Sequence, residues 1–103
     1  MFSMTDRIIL VTGAGSGIGK ITARRLGELE SVVIVVDQNG DNARETVQDL
    51  KQSNRGAVAI EADVSNPNDV ARVFSDVEAK YQRLGGIIHC AGIGAERQYL
   101  KRR

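Results

Sequence analysis

Between an apolar run, Arg7-Ile8-Ile9-Leu10-Val11, and an amphipathic stretch opening near Gly17 lies a turn dense in glycine, Thr12-Gly13-Ala14-Gly15-Ser16-Gly17-Ile18-Gly19. An apolar run that passes straight into glycines and then into a helical period constrains the chain to a strand–turn–helix unit. Such a turn lets the backbone approach a phosphate closely and aims the first unpaired helix amides at it. A second apolar segment, Ser31 to Val36, ends in a single carboxylate, Asp37. A glycine turn after a strand, with an acid about 20 residues on, suits the pyrophosphate and ribose hydroxyls of a dinucleotide. The residues point to a nucleotide-cofactor binder.

The glycine spacing narrows this. The fingerprint G-x-G-x-x-G fails from Gly13, because Ile18 stands where the third glycine belongs. The pattern present is T-G-x-x-x-G-I-G, with Gly13, Gly17 and Gly19. The phosphate-loop pattern G-x-x-x-x-G-K-[ST] comes near at Gly19-Lys20 and fails twice. Ala14 replaces its first glycine, and Ile21 replaces the hydroxyl that would hold magnesium.

At 103 residues the chain makes one domain and can bury about 60–70% of its unfolded surface. A net charge of +1 argues against nucleic acid or a membrane surface as a partner recognised through bulk charge. The local exception is the basic cluster Arg97, Lys101, Arg102 and Arg103. The leader Met1 to Arg7 lacks the pattern of a secretory signal, and no run approaches the roughly 18 apolar residues that span a bilayer. The single cysteine, Cys90, rules out an internal disulfide and fits a reducing compartment. We expect a cytoplasmic protein, with an organelle matrix as the other setting.

Four apolar runs, Ile8–Val11, Val32–Val36, Ala57–Ile60 and Gly86–Cys90, alternate with three helical patterns. The runs are continuous rather than alternating, as in parallel strands covered on both faces. The first helix is expected over about 17–29, with Ile18, Ile21, Thr22, Leu26 and Leu29 on one side. The second is expected over about 41–52, with Ala43, Val47 and Leu50 inward. The third carries an inward stripe of Val70, Val73, Phe74, Val77 and Tyr81. Asn66 can cap it, Pro67 suits its first position, and Asp69 sits favourably in its first turn. Strand–helix alternation with short connections predicts an α/β fold, a doubly wound parallel sheet with helices on both faces.

Over residues 7 to about 94 the chain resembles the N-terminal half of a short-chain dehydrogenase/reductase. Four elements carry the likeness: Thr12–Gly19, Asp37, Ala62-Asp63-Val64-Ser65, and His89-Cys90-Ala91-Gly92-Ile93. The resemblance implies a Rossmann-like sheet of strand order 3-2-1-4, with residues 1–94 as the NAD-binding half-domain and 95–103 as a loose basic tail. It also implies that Gly13, Gly17 and Gly19 form the pyrophosphate turn, with Ser16 and Ile18 near the phosphates. By the same likeness Asp37 accepts from the adenosine ribose hydroxyls, Asp63 lies beside the adenine amino group with Val64 as its apolar neighbour, and Ala91 and Gly92 lie under the nicotinamide-side ribose. The implied reaction interconverts an alcohol and a ketone with NAD rather than NADP; the substrate is not legible in this half.

Several residues depart from the family pattern. His89 and Cys90 stand where paired asparagines are usual. Cys90 reads as a small apolar residue at a strand end, with His89 on the opposite face. One His and one Cys with no ligand spacing give no metal site. Glu30 occupies a left-handed helix-terminal position that usually takes glycine, at a cost of about 1 kcal/mol. The family's later serine and its Tyr-x-x-x-Lys pair are missing. Tyr99 is followed at the lysine position by Arg103, and Tyr81 by Gly85. We therefore expect no catalytic residue in this chain. Two readings follow: a truncated oxidoreductase carrying the cofactor half, inactive alone, or a non-enzymatic NAD-binding module pairing with a full-length relative. Self-association through the fourth strand is expected in either case.

Overall fold

The computed structural model describes residues 7–52, 56–82 and 84–90. The order of elements is β1 (Ile8–Thr12), α1 (Gly17–Glu28), β2 (Val32–Asp37), α2 (Gly40–Lys51), β3 (Val58–Glu61), α3 (Pro67–Tyr81) and β4 (Gly86–His89). The four strands form one parallel sheet in the order β3-β2-β1-β4. Ile8 pairs with Val32, Ile9 with Gly86 and Ile34 with Val58.

Side-chain alternation along the strands divides the interior in two. Ile9, Val11, Val33 and Val35 meet Ala23, Leu26, Ala43, Val47 and Leu50 of α1 and α2. Ile8, Leu10, Ile34 and Val36 meet Val73 and Val77 of α3. Both faces of β1 and β2 are thus covered, which is why their sequences are apolar without alternation.

α2 buries the expected stripe of Ala43, Val47 and Leu50, together with Thr46. α1 differs from expectation. Ile18 and Ile21 are 68% and 61% exposed, and the inward face is Gly19, Ala23, Leu26 and Gly27. The helix lies so close to the glycine turn after β1 that a Cβ on Gly19 would collide with the Gly13 carbonyl. Small residues therefore make the contact and the isoleucines turn outward. In α3 the expected stripe is narrower: Val73 and Val77 are buried, Val70 and Tyr81 are half-buried, and Phe74 is 42% exposed. Phe74 lies beyond the strip of α3 that four strands can cover.

The ends of α3 follow their sequence signals. The Asn66 side chain accepts from the amides of Asn68 and Asp69, and Pro67 opens the first turn. Glu30 adopts the left-handed conformation, φ +68°, and donates its amide to the Gly27 carbonyl. Gln82 takes the same conformation after α3, at φ +66°, with its amide donating to the Glu78 carbonyl, and no glycine or asparagine there signalled it.

Candidate functional site

The C-terminal ends of the strands converge on the glycine turn. Gly13 has φ +65° and lies against the Cys90 carbonyl, leaving no room for a side chain. The Ala14 amide donates to the Val36 carbonyl at 3.2 Å, stitching the turn to β2. The Thr46 hydroxyl, fully buried, donates to the Ala14 carbonyl at 3.0 Å and ties the same turn to α2. Gly17 differs from Gly13: its φ is +58°, yet nothing lies within 4 Å of where its Cβ would stand. Open space thus adjoins the start of α1. Ser16, the N-cap residue, makes no side-chain capping bond there. Amides at a helix start that no side chain caps suit an anion.

Asp37 closes the other side. Its Oδ2 accepts from the Gly15 amide at 2.9 Å and its Oδ1 from the Asn39 amide at 2.8 Å. The two bonds fix the carboxylate beside the turn and leave further acceptor positions for sugar hydroxyls. A Cβ on Gly15 would come within 2.8 Å of that carboxylate, so a residue that looked like a spacer in the sequence is part of its seat.

Asp63 and Val64 follow β3. The Asp63 carboxylate accepts from the Ser65 hydroxyl at 2.6 Å and the Ser65 amide at 2.9 Å. The hydroxyl first and then the amide hold Asp63 below the usual carboxylate range. Asp69, expected as a helix-dipole partner, also accepts from the Asp63 amide at 2.9 Å and so fixes this loop to α3. Val64 is exposed.

Lys20 is turned away from the turn. Its Nζ lies 3.3 Å from both Glu45 and Asp49 of α2, whose bonds raise its pKa. It clamps α1 to α2 and is not offered to a phosphate, in keeping with the failed phosphate-loop pattern. At the end of β4, His89 Nδ1 lies 2.6 Å from the Thr12 hydroxyl, while Cys90 packs on the opposite side against the α1–α2 core. The structure thus brings Gly13, Ser16, Gly17, Ile18, Gly19 and Asp37 together and sets Asp63 and Val64 after the adjacent strand. Ala91, Gly92 and the tail from 95 lie outside the described residues.

The sequence reading missed Thr46, Gly15 and the Thr12–His89 bond. A hydroxyl within the apolar stripe of α2 was the available signal for Thr46, since a buried hydroxyl requires a partner. No group of three or more His, Cys, Asp or Glu side chains among the described residues could hold a metal. No helix among them is long and apolar enough to cross a membrane.

The family model for short chain dehydrogenase matches residues 7–102. The chain belongs to the short-chain dehydrogenase family. It is 32% identical over 99 residues to short-chain dehydrogenase/reductase family 16C member 6 of Bos taurus, covering 95% of this chain and 31% of that one. A short-chain type dehydrogenase/reductase from Mycobacterium ulcerans superposes with a TM-score of 0.81 at 38% identity, over 88% of this chain and 34% of that one. A 3-ketoacyl-(acyl-carrier-protein) reductase from Brucella melitensis, solved with NADH, superposes at TM-score 0.75 and 27% identity, over 82% and 34%. The chain therefore spans about a third of the length of these short-chain dehydrogenases. Its four-stranded order corresponds to their cofactor-binding fold, and a dinucleotide is the cofactor the family binds.

Proposed function

We propose that this chain is the cofactor-binding part of an oxidoreductase that interconverts an alcohol and a ketone, and that it takes NAD(H) in preference to NADP(H). The observation that carries the reading is the Asp37 carboxylate, held beside the glycine turn by the amides of Gly15 and Asn39. Gly13, Ser16, Gly17, Ile18 and Gly19 would hold the pyrophosphate, Asp37 the adenosine ribose, and Asp63 with Val64 the adenine. Ala91 and Gly92 would lie under the second ribose. The nicotinamide, when bound, supplies the hydride.

A phosphate on the ribose 2′-oxygen would bring negative charge against Asp37. Two unit charges 4 Å apart repel by roughly 1 kcal/mol in water and roughly 4 kcal/mol near a protein surface. Ser16, Gln38 and Asn39 offer no positive charge in compensation. Calorimetric titration is expected to show tighter binding of NADH than of NADPH, and Asp37→Ala is expected to narrow the difference. Tighter NADPH binding by the unsubstituted chain overturns the preference.

The 103 residues contain no tyrosine with a lysine at the fourth position after it. Tyr81 is a half-buried member of α3 with the Lys80 ammonium 5.5 Å from its ring centre. General acid–base catalysis needs a group of tunable pKa within hydrogen-bond reach of the substrate, and contributes about 10²–10⁴ in rate. This stretch of chain by itself is proposed to bind cofactor without turnover. NADH oxidation with ketones, aldehydes or quinones that survives repurification and is lost in Tyr99→Phe contradicts that.

A further inference from the structure

At the opposite margin of the sheet from β4, a groove of about 640 Å³ runs along β3. Its floor includes Val58 and Ala59, and its walls come from α2, between Arg44 and Lys51, and from the last turn of α3. Arg44 and Lys51 stand on the α2 side, Lys80 and Tyr81 on the α3 side. No described residue lining it is acidic. Of the carboxylates on these elements, Asp76 lines a smaller hollow of about 170 Å³ beside it, and Glu61 of β3 shares the space at Gly40 with the Arg44 guanidinium. Arg44 pairs with the exposed Asp41, whereas Lys51 and Lys80 enter no ion pair among the described residues.

Among the described residues β3 has a strand neighbour only on its β2 side. On its outer edge the Glu61 carbonyl accepts from the Arg72 guanidinium at 2.8 Å, while the backbone of Ala59 keeps the pairing capacity of an edge strand. Lysines beside such an edge discourage pairing with apolar or basic strands, and the same charge favours an acidic one. Successive side chains of an added strand would point alternately toward the two helix layers, as Val58 and Ala59 do. Positive groups wait on both sides. The groove lies by the start of β3, whereas the candidate cofactor site lies at the strand ends, so the two surfaces are separate.

We propose that the outer edge of β3, with Arg44, Lys51 and Lys80, is a docking surface for an extended acidic polypeptide segment that adds to the sheet as a further strand. Backbone pairing supplies the attachment, and Lys51 and Lys80, whose charge no carboxylate offsets among the described residues, select the acidic segment.

The test uses the full chain and a fluorescein-labelled heptapeptide of alternating valine and glutamate, followed by fluorescence anisotropy at low salt. The acidic peptide is expected to bind at least about tenfold more tightly than its lysine counterpart. The double variant K51E/K80E is expected to lose about tenfold in affinity, with K51Q/K80Q intermediate and both unchanged in thermal melting. A peptide with alternate amides N-methylated is expected not to bind, because it cannot pair with an edge. Absence of binding, equal binding by the N-methylated peptide, full competition by inorganic phosphate, or undiminished binding by K51E/K80E each overturns the proposal. So does a dimer in sedimentation that K51E/K80E dissolves, since a second copy would then be the occupant.

Discussion

Asp63 shows how a single hydroxyl sets the state of a candidate binding group. The Ser65 hydroxyl and amide both stabilise its charged form, so its folded pKa is depressed. The resulting stability is present above about pH 4 and is lost as pH falls through the folded value. Carbon-detected NMR titration is expected to place the Asp63 midpoint below the ordinary carboxylate range, and Ser65→Ala to move it upward. An unmoved midpoint would assign the effect to the amide alone. Thr46 is the second residue of consequence, because its buried hydroxyl is bonded to the Ala14 carbonyl. Thr46→Val keeps the shape and removes that bond, and is expected to cost about 1–2 kcal/mol in urea denaturation. Unchanged stability would show that the turn holds without it. Asp37 was legible in the sequence because its position after a strand is a matter of spacing. The Gly15 and Thr46 contacts were not, because they depend on how closely α2 approaches the turn.

Among the elements, α1 and α3 separate what periodicity can tell from what it cannot. The helical period placed both correctly along the chain, and the Asn66-Pro67 start of α3 came directly from local signals. The inward faces were read too widely. Ile18 and Ile21 share a side with Leu26 by spacing, yet the near contact of Gly19 with Gly13 rotates the small residues inward. Apolar period reports which face can be buried, and packing partners decide which part of it is. The end of α1 tests a local rule cleanly. Glu30 holds φ +68°, a conformation that costs a side-chain-bearing residue about 1–2 kcal/mol. Glu30→Gly is expected to raise stability by about 0.5–1 kcal/mol, part of the gain being offset by the freer unfolded chain. A fall in stability on calorimetric melting would mean that the Glu30 side chain contributes more than its backbone strain costs.

At the scale of the whole molecule, the sheet has two dissimilar margins. β3 is flanked by cations, while β4 presents Ile87, 51% exposed, on the side of α3 that also shows Phe74. An apolar outer strand is a template for pairing with another chain. The 103-residue chain is expected to self-associate at tens of micromolar in sedimentation, with weaker hydrogen-exchange protection over 86–89 than over 8–12. A monodisperse monomer with equal protection in the two strands would show that the margin is closed. This asymmetry was readable in part, since the family resemblance implied the strand order, whereas the charge lining β3 arises only when α2 and α3, distant in sequence, flank that strand from opposite faces. The glycine turn has a consequence of another kind. Bonds to β2 and α2 and the seat of Asp37 on Gly15 hold it from several directions at once. Its freedom of rotation is surrendered during folding, so a dinucleotide bound there, as proposed, would give up chiefly its own. The turn works as a mould set before casting: its shape is fixed by the sheet and not by the guest.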